Sequence, residues 1–195
     1  MLEENKIKYS DCAAIHYTTR NHIYGPPNLD AANLLSLFSI IKENFSECLC
    51  ETLMQKLDDG SEKLLNFVIS TQNMKNLYKN FNDVVLIDST YKTNRFRMPL
   101  LVVAGINEEA KTFIIGFAAL KSEEECNVNW ALNKIFLFLE QKPKIICTDQ
   151  CPTLKKVVSN ILPHSIHLWC GWHINQNIIK RLGPIRKLFT IFANI

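Results

Sequence analysis

Two short apolar runs, each followed by an aspartate, constrain the fold of this sequence most strongly. Residues 84–87 are Val-Val-Leu-Ile and precede Asp88, and the run at residues 144–148 precedes Asp149. Continuous β-branched and aliphatic runs of this length are typical of strands buried on both faces of a sheet. The sequence therefore predicts two such strands, each ending in an acidic residue.

Further strands and intervening helices follow from the hydrophobic periodicity. Residues 100–106 and 112–119 flank a short polar loop and predict a β-hairpin, and residues 64–69 and 165–169 fit two more strands. Between the strands, apolar residues recur at the helical spacing of three and four. An alternation of this kind predicts an α/β fold with a mixed sheet flanked by helices.

The chain is predicted to divide where the period changes. Residues 1–62 form a helical N-terminal extension, residues 63–182 form the sheet domain, and residues 183–195 begin a following helical segment after a break at Gly183-Pro184. Cys48 and Cys50 fall on the predicted N-terminal helix and point in different directions. They are therefore poor candidates for a shared metal.

Composition and charge narrow the class of protein. The longest uncharged apolar stretches are far shorter than the roughly 20 residues that cross a bilayer, so no membrane helix is expected. Seven cysteines at irregular spacing argue against a secreted disulfide framework. All 19 acids lie at or before Asp149. The net charge is therefore −3 for residues 1–149 and +6 for residues 150–195. A basic end attracts polyanions such as DNA, although a solvated helical surface also explains it.

The two aspartates suggest metal chemistry. Ligands of open α/β sheets gather at the carboxyl ends of the strands, where Asp88 and Asp149 are expected to meet. Two converging carboxylates repel each other unless a cation such as Mg²⁺, which prefers oxygen ligands, lies between them. The alternative is that each aspartate merely ends a strand or caps the next turn. Spacing alone leaves both interpretations open.

Several blocks of the sequence resemble a known family. The stretch 88–94, Asp-Ser-Thr-Tyr-Lys-Thr-Asn, is followed by Met-Pro-Leu-Leu at 98–101, by Thr148-Asp149, and by Leu-Trp-Cys-Gly-Trp-His-Ile at 168–174. In this order they resemble the catalytic domain of Mutator-like element (MULE) transposases and the related far-red-impaired response proteins. The resemblance extends over about residues 66–182.

The resemblance implies a ribonuclease H-like fold and a two-metal reaction on DNA. Asp88 and Asp149 match the family's first two catalytic acids, which would bind Mg²⁺ or Mn²⁺ for DNA strand cleavage and transfer in the nucleus. It also implies a third acid, usually Glu, further downstream. Because no acid follows Asp149, we expect the chain to be inactive alone, and whether it is an enzyme stays open.

A cysteine and a histidine match the family's Cys-x-x-His signature. These are Cys170 and His173. Together with Cys147 and Cys151 their spacing also suits zinc, but Cys147 falls in a predicted strand, where cysteine is often a small core residue. We therefore expect a packed structural turn here rather than a zinc site.

Basic and aromatic residues supply candidate DNA contacts. Lys92, Arg95 and Arg97 closely follow Asp88 and could meet phosphates, and a solvated turn explains them equally well. Lys180 and Arg181 belong to the basic end.

Three tryptophans, Trp130, Trp169 and Trp172, could stack on bases, but core packing is the commoner use of such side chains. The functional hypotheses are thus part of a DNA transposase catalytic domain, a non-catalytic DNA-binding regulator derived from one, or a zinc-dependent interaction module. The expected partner is transposon-end or target DNA, and a homo-oligomer stays an open alternative.

Overall fold

The computed structural model describes residues 29–45, 47–91 and 93–192, except for the side chains of residues 183–192. The elements are α1 (Asp30–Asn44), β1 (Cys48–Lys56), β2 (Glu62–Thr71), α2 (Gln72–Asn80), β3 (Val84–Thr90), β4 (Leu100–Ile106), β5 (Thr112–Ala119), α3 (Glu125–Leu139), β6 (Ile145–Thr148), α4 (Pro152–Ile161), β7 (Ile166–Trp169) and α5 (Gly171–Phe192). The described residues divide into two units, one ending at Asn44 and the other beginning at Phe45. The second unit contains the whole sheet.

The sheet is mixed, as the sequence predicts. Its seven strands lie in the order β1-β2-β5-β4-β3-β6-β7. The pairs β1–β2, β2–β5, β5–β4 and β4–β3 are antiparallel. The pairs β3–β6 and β6–β7 are parallel. Strands β4 and β5 form the expected hairpin with the expected bounds.

One face of the sheet carries the hydrophobic core. Side chains alternate along β3, so that Val85 and Ile87 are buried while Val84 and Leu86 are only half-buried. The prediction that this strand is buried on both faces is therefore wrong. The core of the second unit forms where α2, α3 and α4 pack on the face that carries Val85 and Ile87. The opposite face of β3 is left with partial contact to solvent.

The helices follow local signals in the sequence. Thr71 caps α2 by accepting a hydrogen bond from the Met74 N–H group. In α3, Leu132 and Ile135 belong to the apolar stripe that enters the core. Pro152 occupies the first turn of α4, where its missing N–H group costs no hydrogen bond.

Two expectations about the ends of the chain are corrected. The helical extension over residues 1–62 is wrong for residues 48–56, because they form β1 and pair with the next strand, β2, as an antiparallel hairpin. Cys48 and Cys50 therefore lie on a strand. Residues 1–28 of this extension lie outside the described residues. The break at residues 183–184 is also wrong, since α5 continues through it to Phe192. The fixed φ of Pro184 suits a helix, and only one hydrogen bond is lost. The described helices include none that is long and apolar enough to span a membrane.

Candidate functional site

The strand register brings the two aspartates to neighbouring positions. In the parallel pair of β3 and β6, Ile87 lies opposite Thr148. Asp88 and Asp149 each come one residue later, so both lie at the same edge of the sheet, and both are half-buried. This is the arrangement that the two apolar runs predict. We call Asp88 and Asp149 the acidic pair.

Asp149 is fixed at the start of α4. Its Oδ1 accepts a hydrogen bond from the Cys151 N–H group at 3.0 Å. Thr148, which is buried, donates its hydroxyl to the Asp149 carbonyl and also contacts His167 Nε2 at 2.9 Å. Within the described residues, Asp149 Oδ2 accepts no hydrogen bond. Asp149 thus caps the turn before α4, as the alternative interpretation of the sequence expects. Its second carboxylate oxygen stays available to a ligand.

Asp88 faces the first turn of α5. Its Oδ1 lies 3.8 Å from His173 Nε2, and half of the Asp88 side chain is exposed. The other ring nitrogen of His173 is buried and has no hydrogen-bond partner in the described part of the chain. Trp172 packs edge-on against the His173 ring, with centroids 4.8 Å apart. The histidine of the Cys-x-x-His signature therefore lies beside the acidic pair.

Cys170, the other residue of the Cys-x-x-His signature, is bonded to the end of β6. Its N–H group donates to the Thr148 carbonyl at 2.7 Å. Burial, the neighbouring Cys170 and a hydrogen bond to its side chain raise the pKa of the Cys147 thiol. The Cys147 thiol on β6 is thus next to the thiol of Cys170, the residue that directly precedes α5. Among the described residues, no three His, Cys, Asp or Glu side chains are grouped closely enough to hold a metal ion.

A tyrosine and a glutamate that spacing does not reveal also lie near the site. The Tyr91 hydroxyl donates to the Glu123 carboxylate. This hydrogen bond, burial, and the charges of Glu123, Cys151 and Asp149 raise the pKa of Tyr91 to about 12. The available signals were weak: a tyrosine three residues after Asp88, and an acidic run before α3.

The basic candidates from the sequence lie on two separate elements. Lys92 falls outside the described residues. Arg95 and Arg97 belong to the loop between β3 and β4, where the Arg95 guanidinium lies 5.7 Å from the Phe96 ring centroid and the Arg97 N–H group donates to Asn94. This compact loop agrees with the turn interpretation.

Lys180 and Arg181 are exposed on α5. Among the described residues, neither of them forms an ion pair with Asp88 or Asp149.

The tryptophans differ strongly in their surroundings. Trp130 is half-buried against the hydrophobic core, as expected of a core aromatic. Trp169 is 38% exposed and Trp172 is 64% exposed. The Trp169 ring stacks obliquely on His167, and the Lys155 ammonium lies 6.0 Å from its centroid. The expectation that the tryptophans pack in the hydrophobic core is therefore wrong for Trp172.

Comparison with known proteins identifies the class of domain. Residues 84–177 match the MULE transposase domain family. This range contains β3 to β7, the acidic pair and the Cys-x-x-His signature. The chain therefore carries a MULE-related domain, as the resemblance of its motifs indicated.

The chain is also similar to three proteins of Arabidopsis thaliana. It is 31% identical to Protein FAR1-RELATED SEQUENCE 6 over 56% of the chain, 24% identical to Protein FAR1-RELATED SEQUENCE 5 over 83%, and 28% identical to Protein FAR-RED IMPAIRED RESPONSE 1 over 65%. The aligned parts cover 16%, 24% and 15% of these proteins. The chain thus spans less than a quarter of the length of each.

Proposed function

We propose that the chain is part of a MULE-type DNA transposase catalytic domain with a ribonuclease H-like arrangement. In this proposal the acidic pair binds a divalent cation at a DNA phosphate, and the site acts in the nucleus, where the DNA is. The observation that carries it is the parallel register of β3 and β6, which sets Asp88 beside Asp149. Counted from β3, Asp88 lies on the first strand and Asp149 directly follows the fourth, the two strands on which the resemblance implies the acids.

The side chains of the acidic pair fit Mg²⁺ or Mn²⁺. Mg²⁺ is commonly held by one or two carboxylates and completes its shell with water and substrate phosphate oxygens. Asp88 is half exposed and Asp149 retains Oδ2, so both can offer oxygen ligands to one ion. Such an ion would activate water or a DNA 3′-hydroxyl and polarise the phosphate under attack.

The other residues of the site would orient this pair. The Cys151 N–H group holds one oxygen of Asp149, and His173 stands beside Asp88. Imidazole and thiol are poor ligands for Mg²⁺. We therefore assign positioning roles to His173 and Cys170, with no zinc.

The site as it stands favours DNA binding over cleavage. Two-metal cleavage uses a second ion to stabilise the leaving oxygen, and two aspartates leave that ion short of ligands. A loss of about 4 kcal/mol of transition-state stabilisation slows a reaction roughly a thousandfold. We expect the chain by itself to bind DNA weakly and without sequence preference, through cations such as Lys155, Lys156 and Lys180.

A second candidate is a non-catalytic DNA-binding regulator derived from such a transposase. Two observations favour it. The described residues contain no group of three metal-ligating side chains, and the chain is similar to proteins named for an impaired far-red response. The two candidates share the DNA-binding surface and differ in whether the acidic pair supports cleavage.

A plasmid-nicking assay with Mg²⁺ or Mn²⁺ tests the cleavage part. We expect no nicking by the chain, nor by Asp88→Ala and Asp149→Ala variants run beside it. Nicking that both substitutions abolish would show a complete catalytic site in this chain. A parallel anisotropy titration should give an affinity for duplex DNA that falls steeply as salt rises, because phosphate contacts release counterions. Binding that salt does not change would contradict the DNA-binding surface.

A further inference from the structure

Trp172 is the most exposed of the three tryptophans, and its indole contacts the histidine that lies beside the acidic pair. Its side chain is 64% exposed, against 38% for Trp169 and a half-buried Trp130 that packs on the core. Its ring contacts His173 edge-on, at an interplanar angle of 81°. A contact of this kind covers at most one face of the indole. A large apolar surface therefore meets solvent within one residue of His173, which itself reaches Asp88.

The position of Trp172 is fixed by the same element that sets His173. The Cys170 N–H group is bonded to the end of β6, and α5 begins immediately after it at Gly171. The backbone just before the indole is thus tied to the strand that leads to Asp149. A rigid aromatic platform beside a phosphate-binding site is well placed for a nucleic-acid base, because every base offers a π-face and stacking tolerates any sequence.

Charge favours DNA over a protein partner at this surface. Residues after Asp149 include cations and no acid. Lys180 is exposed, and it follows His173 by seven residues, so it lies on the same side of α5 about 10 Å further along. A cation can bind a phosphate of a DNA strand and an aromatic ring can stack on one of its bases. Lys180 and Trp172 offer both groups near the acidic pair. Paired bases hide their faces in the duplex stack, so the occupant is an unpaired base.

We propose that Trp172 binds an unpaired DNA base by stacking, next to the phosphate at the acidic pair. The inference rests on the proposed function for the identity of that phosphate site. It assigns the substrate class: DNA in which a base near the bound phosphate is unpaired, as at a bulge, a junction or a single-stranded end.

Anisotropy titrations with two labelled duplexes test this, one fully paired and one carrying a single bulged 2-aminopurine. Trp172→Ala should weaken binding of the bulged duplex at least about fivefold and change binding of the paired duplex less than twofold. Trp172→Phe, which keeps a ring, should bind the bulged duplex with intermediate affinity. Trp169→Ala is the matched control and should not alter the ratio of the two affinities.

The 2-aminopurine fluorescence reports stacking of the bulged base itself, and circular dichroism checks that the variant is folded. The wild-type chain should quench it by stacking, and Trp172→Ala should not, although circular dichroism shows the same fold. Equal effects of Trp172→Ala on both duplexes, or unchanged quenching, would overturn the inference. A dimer that dissociates in Trp172→Ala with unchanged DNA selectivity would overturn it too, since the indole would then serve a second copy.

The acidic pair separates this inference from the function on which it rests. If Asp88→Asn and Asp149→Asn leave Mg²⁺-dependent binding intact while Trp172→Ala abolishes bulge selectivity, the metal site is refuted and base stacking stands. If the aspartate variants lose Mg²⁺-dependent binding while Trp172→Ala keeps bulge selectivity, stacking is refuted and the metal site stands.

Discussion

His173 Nε2 lies 3.8 Å from Asp88 Oδ1, so the first turn of α5 meets the central strand β3 at this point. The two residues are far apart in sequence. They meet because β6 and β7 extend the sheet in parallel from β3 and return the chain to the same edge. The signature histidine is therefore placed to limit the orientations of one carboxylate of the acidic pair.

The first prediction concerns this contact. His173→Ala should weaken Mn²⁺ binding about tenfold, because residues that orient a metal ligand commonly contribute this much. His164→Ala, at an exposed position in the turn before β7, is the control and should leave the affinity unchanged. Calorimetric titration measures both. Tighter binding by His173→Ala would mean that the histidine competes with the metal for Asp88 instead of orienting it.

The second prediction concerns the ionisation of Tyr91. Its hydrogen bond to Glu123 comes first among the causes that raise its pKa from 10.0 to about 12. Glu123→Gln should lower this pKa toward 10, because the acceptor loses its negative charge. Since the folded-state pKa is raised, this contribution to stability is complete below pH 10 and is lost as the pH rises toward 12.

The titration of ¹³C-labelled tyrosine, followed by NMR, measures this pKa, and Tyr91→Phe identifies the signal. A Tyr91 pKa that is the same with Glu123 and with Gln at this position would show that the hydrogen bond is absent in solution.

The third prediction concerns a buried amide pair that holds the turn carrying Glu123. Asn66 is fully buried; its Nδ2 donates to Asn127 Oδ1 at 3.0 Å, and its Oδ1 accepts from the Lys121 N–H group at 2.8 Å. Asn66→Ala leaves both partners unpaired and should lower the free energy of unfolding by about 2–4 kcal/mol. Asn160→Ala, at an exposed position of α4, should change it by less than about 0.5 kcal/mol. Urea denaturation compares the two, and equal effects would show that the buried network adds no stability.

How much of this could be predicted from sequence depends on whether the signal is local. The β4–β5 hairpin and the apolar stripe of α3 follow from the periodicity of adjacent residues, and the predicted bounds of the hairpin agree with the structure. The neighbouring positions of Asp88 and Asp149 were also predictable, since each follows an apolar run. Strand β1 was missed because its apolar residues, such as Leu49, Cys50 and Leu53, recur at the spacing of three and four that predicts a helix.

The contacts of the site, by contrast, join residues that are far apart in the sequence. Tyr91 and Glu123 are 32 residues apart and come together only when β3 and the turn after β5 are both in place. The exposure of Trp172 was not predictable either, because the residue type is usually buried. The rule that a proline ends a helix also fails at Pro184. The other hydrogen bonds of α5 stabilise the helix more than the one missing bond destabilises it.

The fourth prediction compares two glycines. A Cβ at Gly105, on β4, would overlap the ring of Phe113 on the neighbouring strand, whereas a Cβ at Gly171 would meet nothing within 4 Å. Gly105→Ala should lower the free energy of unfolding by about 1–3 kcal/mol, because Phe113 packs against the core and must move. Gly171→Ala should be neutral or slightly stabilising at the start of α5. Thermal denaturation distinguishes them, and a neutral Gly105→Ala would show that the ring relocates freely.

Manganese binding tests the central claim, that Asp88 and Asp149 together hold one divalent cation, most directly. Electron paramagnetic resonance of Mn²⁺, titrated with the chain and a short DNA duplex, counts the bound ions and gives their affinity. We expect one ion per chain, with the affinity lowered at least about tenfold by Asp88→Asn and likewise by Asp149→Asn. Asp83→Asn is the matched control, since Asp83 precedes the opposite end of β3 and pairs with Lys144, and it should leave binding unchanged. Equal Mn²⁺ affinity in the wild-type chain and in both variants of the acidic pair would contradict the account.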